Sequence, residues 1–314
     1  MHKGTVIKST GNWYQVRLED ESVVQCRIIG KFRLDGKKLT NPVAVGDEVQ
    51  VKMEEADETG TIQNILDRTN YVARQSPRKK HHLHLLASNV DQAVVITTIV
   101  EPKLKQGFID RFLLMTEPYR IPTVIVFNKS DVYRKADLEV YDYLKYIYED
   151  IGYQVLLTSS ISGEGLPKLK EVLKGKQTLL SGQSGVGKSS LLNAIQPHLE
   201  LRTGEISDFS GKGQHTTTFA EMHPLDFGGT IIDTPGIKTL SFNNLEPMDI
   251  AHNFREIFNY SENCKFANCM HRDEPKCAVK AAVESEEISE LRYINYLTLL
   301  EETEEQNYWE RSEM

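Results

Sequence analysis

The sequence has little cysteine, no long apolar run and, outside one tail, no excess of either charge. Four cysteines in 314 residues are too few for a disulfide framework, which leaves metal binding or plain burial as their use. No uninterrupted apolar stretch approaches the roughly 18–20 residues needed to cross a bilayer, and Met1-His2-Lys3-Gly4-Thr5 lacks the apolar segment of a secretion signal. A cytoplasmic protein without membrane contact is expected. Wholesale disorder is also excluded, because 39% apolar residues can bury enough surface to offset the entropy of ordering the chain. The length suits about two domains, or three small ones.

The net charge of −8 belongs to the tail. Residues 284–314 hold ten Glu against Arg292 and Arg311, while the other 283 residues balance at 35 basic and 35 acidic. The body is therefore free to carry local basic surfaces. One runs from Cys26 to Lys38, with Arg27, Lys31, Arg33, Lys37 and Lys38 against Asp35. The other runs from Arg68 to His84, with Arg68, Arg74, Arg78, Lys79, Lys80 and three histidines and no acid.

Residues 1–68 read as roughly five short strands broken by turn signals, the pattern of a small OB-like or SH3-like β-barrel. The first basic stretch favours an RNA-binding barrel over a mere spacer. Residues 69–88 read as a linker. From 89 to 240 apolar strand-like runs (93–100, 123–127, 154–158, 178–180 and 230–232) alternate with helical segments (107–119, 137–151 and 189–195). That alternation predicts an α/β domain with a mostly parallel sheet. Beyond 240 the strands cease, and residues 241–314 hold a Cys/His cluster and a helix. In that helix Ile288, Leu291, Ile294, Leu297 and Leu300 are expected to face the core.

Gly182-Gln183-Ser184-Gly185-Val186-Gly187-Lys188-Ser189 matches G-x-x-x-x-G-K-S between a strand and a helix, with Ser190 next on that helix. The glycines let backbone N–H groups turn toward phosphates and the helix N-terminus adds its positive end. Lys188 neutralises the β and γ phosphates, and Ser189 offers a hydroxyl to Mg2+. Asp233-Thr234-Pro235-Gly236 closes another strand. It brings a carboxylate for a Mg2+-bound water and, at Gly236, an N–H for the γ-phosphate. Asn128-Lys129-Ser130-Asp131 follows a third strand. Asp131 can accept from the N1–H and exocyclic amine of guanine together, which adenine cannot supply. Asn128 can bond the opposite edge of the base, and the Lys129 stem can cover its ring. Thr158-Ser159-Ser160, after another strand, is expected to support the same base through backbone N–H groups.

The order is unusual, since the base motif precedes the phosphate loop. The sequence resembles the circularly permuted GTPases, and among them the family of ribosome small-subunit-dependent GTPase A. The resemblance covers nearly the whole chain. It implies a P-loop domain of permuted order, between an N-terminal barrel and a C-terminal zinc-binding helical domain. It further implies a GTPase that cycles between GTP and GDP, binds the 30S subunit and its 16S rRNA late in maturation near the decoding region, and is stimulated by that subunit. A monomer is expected. The rival readings are a P-loop kinase or ATPase, a non-catalytic RNA scaffold, and a GTPase acting on the 50S subunit or a transfer RNA.

Cys264-x4-Cys269-x-His271-x5-Cys277 offers three thiolates and an imidazole, a closed tetrahedral set suited to one structural Zn2+. The family's zinc pattern matches at the same four positions. Cys26 stands apart and is expected in the barrel core. In the glycine-rich segment 211–218, one of Thr216, Thr217 and Thr218 should reach Mg2+, with Thr217 chosen. Ile237 occupies the place where many GTPases carry a water-orienting Gln. His215 is the nearest substitute, expected to swing in when a ribosomal partner orders the loop. As the catalytic set, Lys188, Ser189, Thr217, Asp233 and His215 are therefore expected.

Overall fold

The fold is taken from a computed structural model, which describes residues 1–30, 39–54, 59–75, 83–105, 107–199, 220–234 and 245–312. Strands β1 (His2–Ser9), β2 (Tyr14–Leu18), β3 (Val23–Ile28), β4 (Glu48–Glu54) and β5 (Thr59–Ile65) run in the order β1-β2-β3-β5-β4, and β4 pairs back onto β1. This is the expected five-stranded barrel. Its strands alternate, so Val6, Tyr14, Val16, Val24, Cys26, Val49, Val51 and Ile62 fill the interior. Burial pushes the Cys26 thiol up to about 11, the behaviour of a small core residue. Gly60 sits where a Cβ would lie 2.5 Å from Val51 and 2.9 Å from the Cys26 sulfur.

The segment expected as a linker is corrected by the structure. β6 (Tyr71–Gln75) and β7 (Leu83–Ser88) form an antiparallel pair, with Val72, Ala73, Leu85, Leu86 and Ala87 buried. Asn41 grips the backbone of Leu85 through both its amide groups, each at 2.9 Å. The many cations in this stretch had obscured its apolar positions. Arg68, counted above as basic surface, instead makes two bonds of 2.6 and 2.7 Å to the fully buried Asp47.

The larger part of the sheet is built from β8 (Gln92–Thr97), β9 (Thr123–Phe127), β10 (Gln154–Leu157), β11 (Gln177–Gly182), β12 (Glu221–Pro224) and β13 (Thr230–Asp233). Its order is β10-β9-β8-β11-β13-β12, parallel except for β12. β8 and β9 are buried along their whole length and β11 at all but its first residue, because both faces are covered. α1 (Phe108–Thr116) and α2 (Lys135–Asp150) cover one face, while α3 (Leu166–Leu173) and α4 (Lys188–Ile195) cover the other. The edge strand β12 pairs with β1 at Glu221↔Lys8, reinforced by a 2.8 Å ion pair between those side chains, so barrel and sheet are continuous.

Among the described residues no strand follows Asp233. Helices α5 (Pro247–Asn253), α6 (Arg255–Ser261), α7 (Ala278–Glu284) and α8 (Glu290–Ser312) share one apolar cluster with the sheet face under α1 and α2. The expected stripe holds except at one position: Ile288, just ahead of α8, and Leu300 are buried in the core cluster, and Leu291 and Leu297 pack against it. A three-residue step turns 300°, so Leu291 and Leu300 drift half a turn apart, and Ile294 is 47% exposed. Arg292, Asn295, Tyr296, Leu299 and Thr303 share the buried face with Leu300, at true helical spacing. These further members were overlooked because most of them are polar.

Those polar members meet partners from three other helices. Arg292 donates to Glu256 on α6 at 2.6 and 3.0 Å and to Asp110 on α1 at 2.5 Å. Asp110 also accepts from Tyr148 on α2 at 2.7 Å and from the Asn295 amide. Burial opposes the Arg292 charge, yet Asp110 and Glu256 outweigh it and hold the guanidinium well above the ordinary arginine range. No helix among the described residues is long and apolar enough to cross a membrane.

Candidate nucleotide site and metal centre

β11 ends at Gly182, where a Cβ would lie 2.6 Å from the Ile96 carbonyl. The loop then turns through Gly185 and Gly187, at φ +85° and +84°, a region open to glycine without strain. Gln183, Ser184, Gly185, Gly187, Ser189 and Ser190 are at least partly exposed, whereas Val186 is buried and anchors the loop beneath. Lys188 begins α4 and donates to Asp233 Oδ1 at 2.7 Å and to the Thr234 carbonyl at 2.6 Å. The cation of the phosphate loop and the carboxylate of the second motif thus form one pair at the C-terminal ends of adjacent strands.

The base motif leaves β9, two strands from β11, and bends back over the phosphate loop. Asn128 is fully buried, and its Nδ2 donates to the Val186 carbonyl at 2.9 Å. A Cβ on Gly187 would stand 2.7 Å from that same amide and 3.6 Å from the Lys129 stem. Lys129 takes a left-handed conformation at φ +65°, which turns Ser130 and Asp131 upward. Ser130 donates to Glu164 at 2.5 Å. Asp131 is exposed, and one of its oxygens accepts from the Ser159 hydroxyl at 2.5 Å.

Ser159 works differently from the expectation. The Thr158 and Ser159 N–H groups donate to Phe127 O and Glu164 O at 2.8 and 3.0 Å, so they are committed within the fold. Ser159 acts through its hydroxyl, which also accepts from the N–H groups of Ile161 and Ser162 at 3.1 and 3.0 Å. The Thr158 hydroxyl, rather than its N–H, reaches the base motif, donating to Asn128 Oδ1 at 3.1 Å. Ser160 is half-buried beside them. His215, Thr216, Thr217, Thr218, Gly236 and Ile237 lie outside the described residues.

The sulfurs of Cys264, Cys269 and Cys277 and a ring nitrogen of His271 all lie within 4.8 Å of one another. Cys264 and Cys277 are 3.9 Å apart, and His271 Nδ1 lies 3.7 and 3.5 Å from them. A tetrahedron with metal–sulfur bonds of about 2.3 Å has edges of about 3.8 Å, so the four groups fit one ion. Burial pushes the Cys269 thiol up to about 12, so a cation is what would hold that sulfur as a thiolate. The surrounding loop is fixed by Tyr293 donating to His271 O at 2.6 Å and Tyr296 to Met270 O at 2.8 Å.

Two segments in reversed order therefore meet through Asn128 and Val186, and comparison with known proteins agrees with that arrangement. The family model for the RsgA GTPase matches residues 65–243, and that for the RsgA N-terminal domain matches residues 3–62. The chain belongs to the RsgA GTPase family. Among relatives in this family, the small ribosomal subunit biogenesis GTPase RsgA of Bacteroides fragilis is 50% identical over 306 residues, 98% of each chain. YjeQ from Thermotoga maritima is 38% identical, with a TM-score of 0.76 over 96% of this chain and 98% of its own. YloQ, a circularly permuted GTPase, is 33% identical, with a TM-score of 0.72 over 97% and 95%. The permuted P-loop fold, the barrel and the metal-ligand cluster expected from the sequence are thus all present in this RsgA-family chain.

Proposed function

We propose that this RsgA-family GTPase hydrolyses GTP during biogenesis of the small ribosomal subunit, in the cytoplasm, and leaves that subunit on hydrolysis. The observation that carries the reading is the Asn128–Val186 bond of 2.9 Å, which sets a guanine-reading loop directly over a phosphate loop. Asp131 would accept from N1–H and the exocyclic amine, with Ser159 steadying it. Lys188 would exchange Asp233 for the β and γ phosphates, freeing that carboxylate for a water on Mg2+. Ser189 and Thr217 would ligate the same ion, and Gly236 would donate to the γ-phosphate. His215 would position the attacking water, since Ile237 cannot. Mg2+, when bound, supplies charge neutralisation between the phosphates.

Partner contact is assigned to the barrel. The Arg27 guanidinium lies 4.0 Å over the Trp13 ring, and Asn12, Trp13, Arg27, Ile28 and Gly30 line a groove of about 390 Å³. An aromatic platform joined to a cation suits unpaired rRNA bases. Hydrolysis is measured alone and with 30S subunits, 50S subunits or transfer RNA. The 30S subunit should stimulate it by well over tenfold, and His215→Ala should lose that stimulation. Stimulation by 50S subunits or transfer RNA instead would move the protein to another partner, and unimpaired stimulation in His215→Ala would remove that residue's role.

Cys264, Cys269, His271 and Cys277 would hold one structural Zn2+. Elemental analysis of protein purified without chelator should find about one zinc per chain, and Cys277→Ser should lose most of it. A metal-free protein of unchanged thermal stability would sink the assignment.

A further inference from the structure

Tyr133 lies two residues beyond Asp131 and belongs to none of the motifs above. Its hydroxyl bridges two backbones: it accepts from the Ile99 N–H and donates to the Asn128 carbonyl, each at 2.8 Å. Asn128 is thereby held at every polar group. Its N–H donates to Thr97 O at 2.8 Å, its side chain joins Val186 and Thr158, and Tyr133 takes its carbonyl. Tyr133 also closes the turn that carries Asp131, since its own N–H donates to Ser130 O at 3.1 Å. Burial pushes the phenol up to about 12, so the proton needed for the bond to Asn128 stays in place at any physiological pH.

The Ile99 end of the bridge belongs to a span that reaches the phosphate loop. Leu104 N–H donates to Ile99 O at 3.0 Å and the Thr98 hydroxyl to Pro102 O at 2.6 Å. A Cβ on Gly185 would lie 3.7 Å from Pro102. The span after β8 thus lies beside the phosphate loop at Pro102 and is bonded to Tyr133 at Ile99.

We propose that Tyr133 is a positioning residue for the guanine nucleotide: its hydroxyl locks the base-reading turn at a fixed height over the phosphate loop. The inference rests on the guanine reading above and extends it to a residue that never touches nucleotide. Tyr133→Phe keeps the ring and removes the bridge, leaving two backbone groups to find other partners. The expected result is about tenfold weaker GDP binding, with Mg-tripolyphosphate, which needs only the phosphate loop, bound as by the wild type. Hydrogen exchange at the Ile99 amide should quicken by a similar factor.

A merely structural role would weaken both ligands together, and that outcome overturns the proposal, as does unchanged GDP affinity in Tyr133→Phe. The exchange rate at Ile99 reports on the bridge itself even if the variant is less stable. Failure of the underlying guanine reading would appear separately, as wild-type protein that binds ADP as well as GDP.

Discussion

Asp131→Asn is expected to lower GDP affinity by about 10²–10⁴, the loss of two charge-assisted hydrogen bonds of about 1.5–3 kcal/mol each. In the proposed complex the carboxylate would accept twice, from N1–H and from the exocyclic amine, whereas an amide presents one acceptor and one donor. The donor would face guanine's amine head-on. Xanthine carries a carbonyl where guanine carries that amine, so the variant should bind xanthosine diphosphate better than the wild type does. Ser159 can donate to the amide oxygen as it does to Asp131 at 2.5 Å, so the turn keeps its shape. Competition binding of the two diphosphates reads both effects. Equal GDP affinity in the variant and the wild type would mean that Asp131 does not read the base.

Arg292→Met should destabilise the protein by about 3–5 kcal/mol, the range for removing one partner from a buried ion pair. The guanidinium is 2% exposed and is the cation between Asp110, fully buried at its side chain, and Glu256, 6% exposed. Its removal leaves two carboxylates facing each other out of water. The ring of Phe254, 4.4 Å away, also loses its cation. Replacing all three ionic residues together, as Asp110→Asn, Glu256→Gln and Arg292→Met, should recover part of the loss because no uncompensated charge remains. Denaturant titration measures both. A loss below about 1 kcal/mol for Arg292→Met would show that water reaches the cluster.

The two cases differ in how readable they were. Lys188, Asp233 and the loop from Asn128 to Asp131 announce themselves through glycine spacing and charged residues at strand ends, because phosphate and base recognition demand those types at those places. The cluster around Arg292 has no such signature. Its residues are 182 positions apart at Asp110 and Arg292, and an arginine on a helix ordinarily marks the wet face. The stripe expected on α8 found Leu300 but missed Arg292 and Asn295 for that reason, with apolar residues taken as the guide where polar groups share the buried face. Tyr133 was silent because a hydroxyl that bridges backbone leaves no periodicity. The hairpin of β6 and β7 was hidden by lysine, arginine and histidine around its apolar positions.

The separation of 58 positions between Asn128 and Val186 also orders events during translation. The base-reading half leaves the ribosome first, and a nascent chain that stops short of Val186 has nothing to clamp the Asn128 amide. Nucleotide capture therefore belongs to chains synthesised past the phosphate loop, and the Asp110 carboxylate stays without its cation until Arg292 has emerged. A truncated translation product lacking α8 carries both nucleotide motifs on a core that is still open.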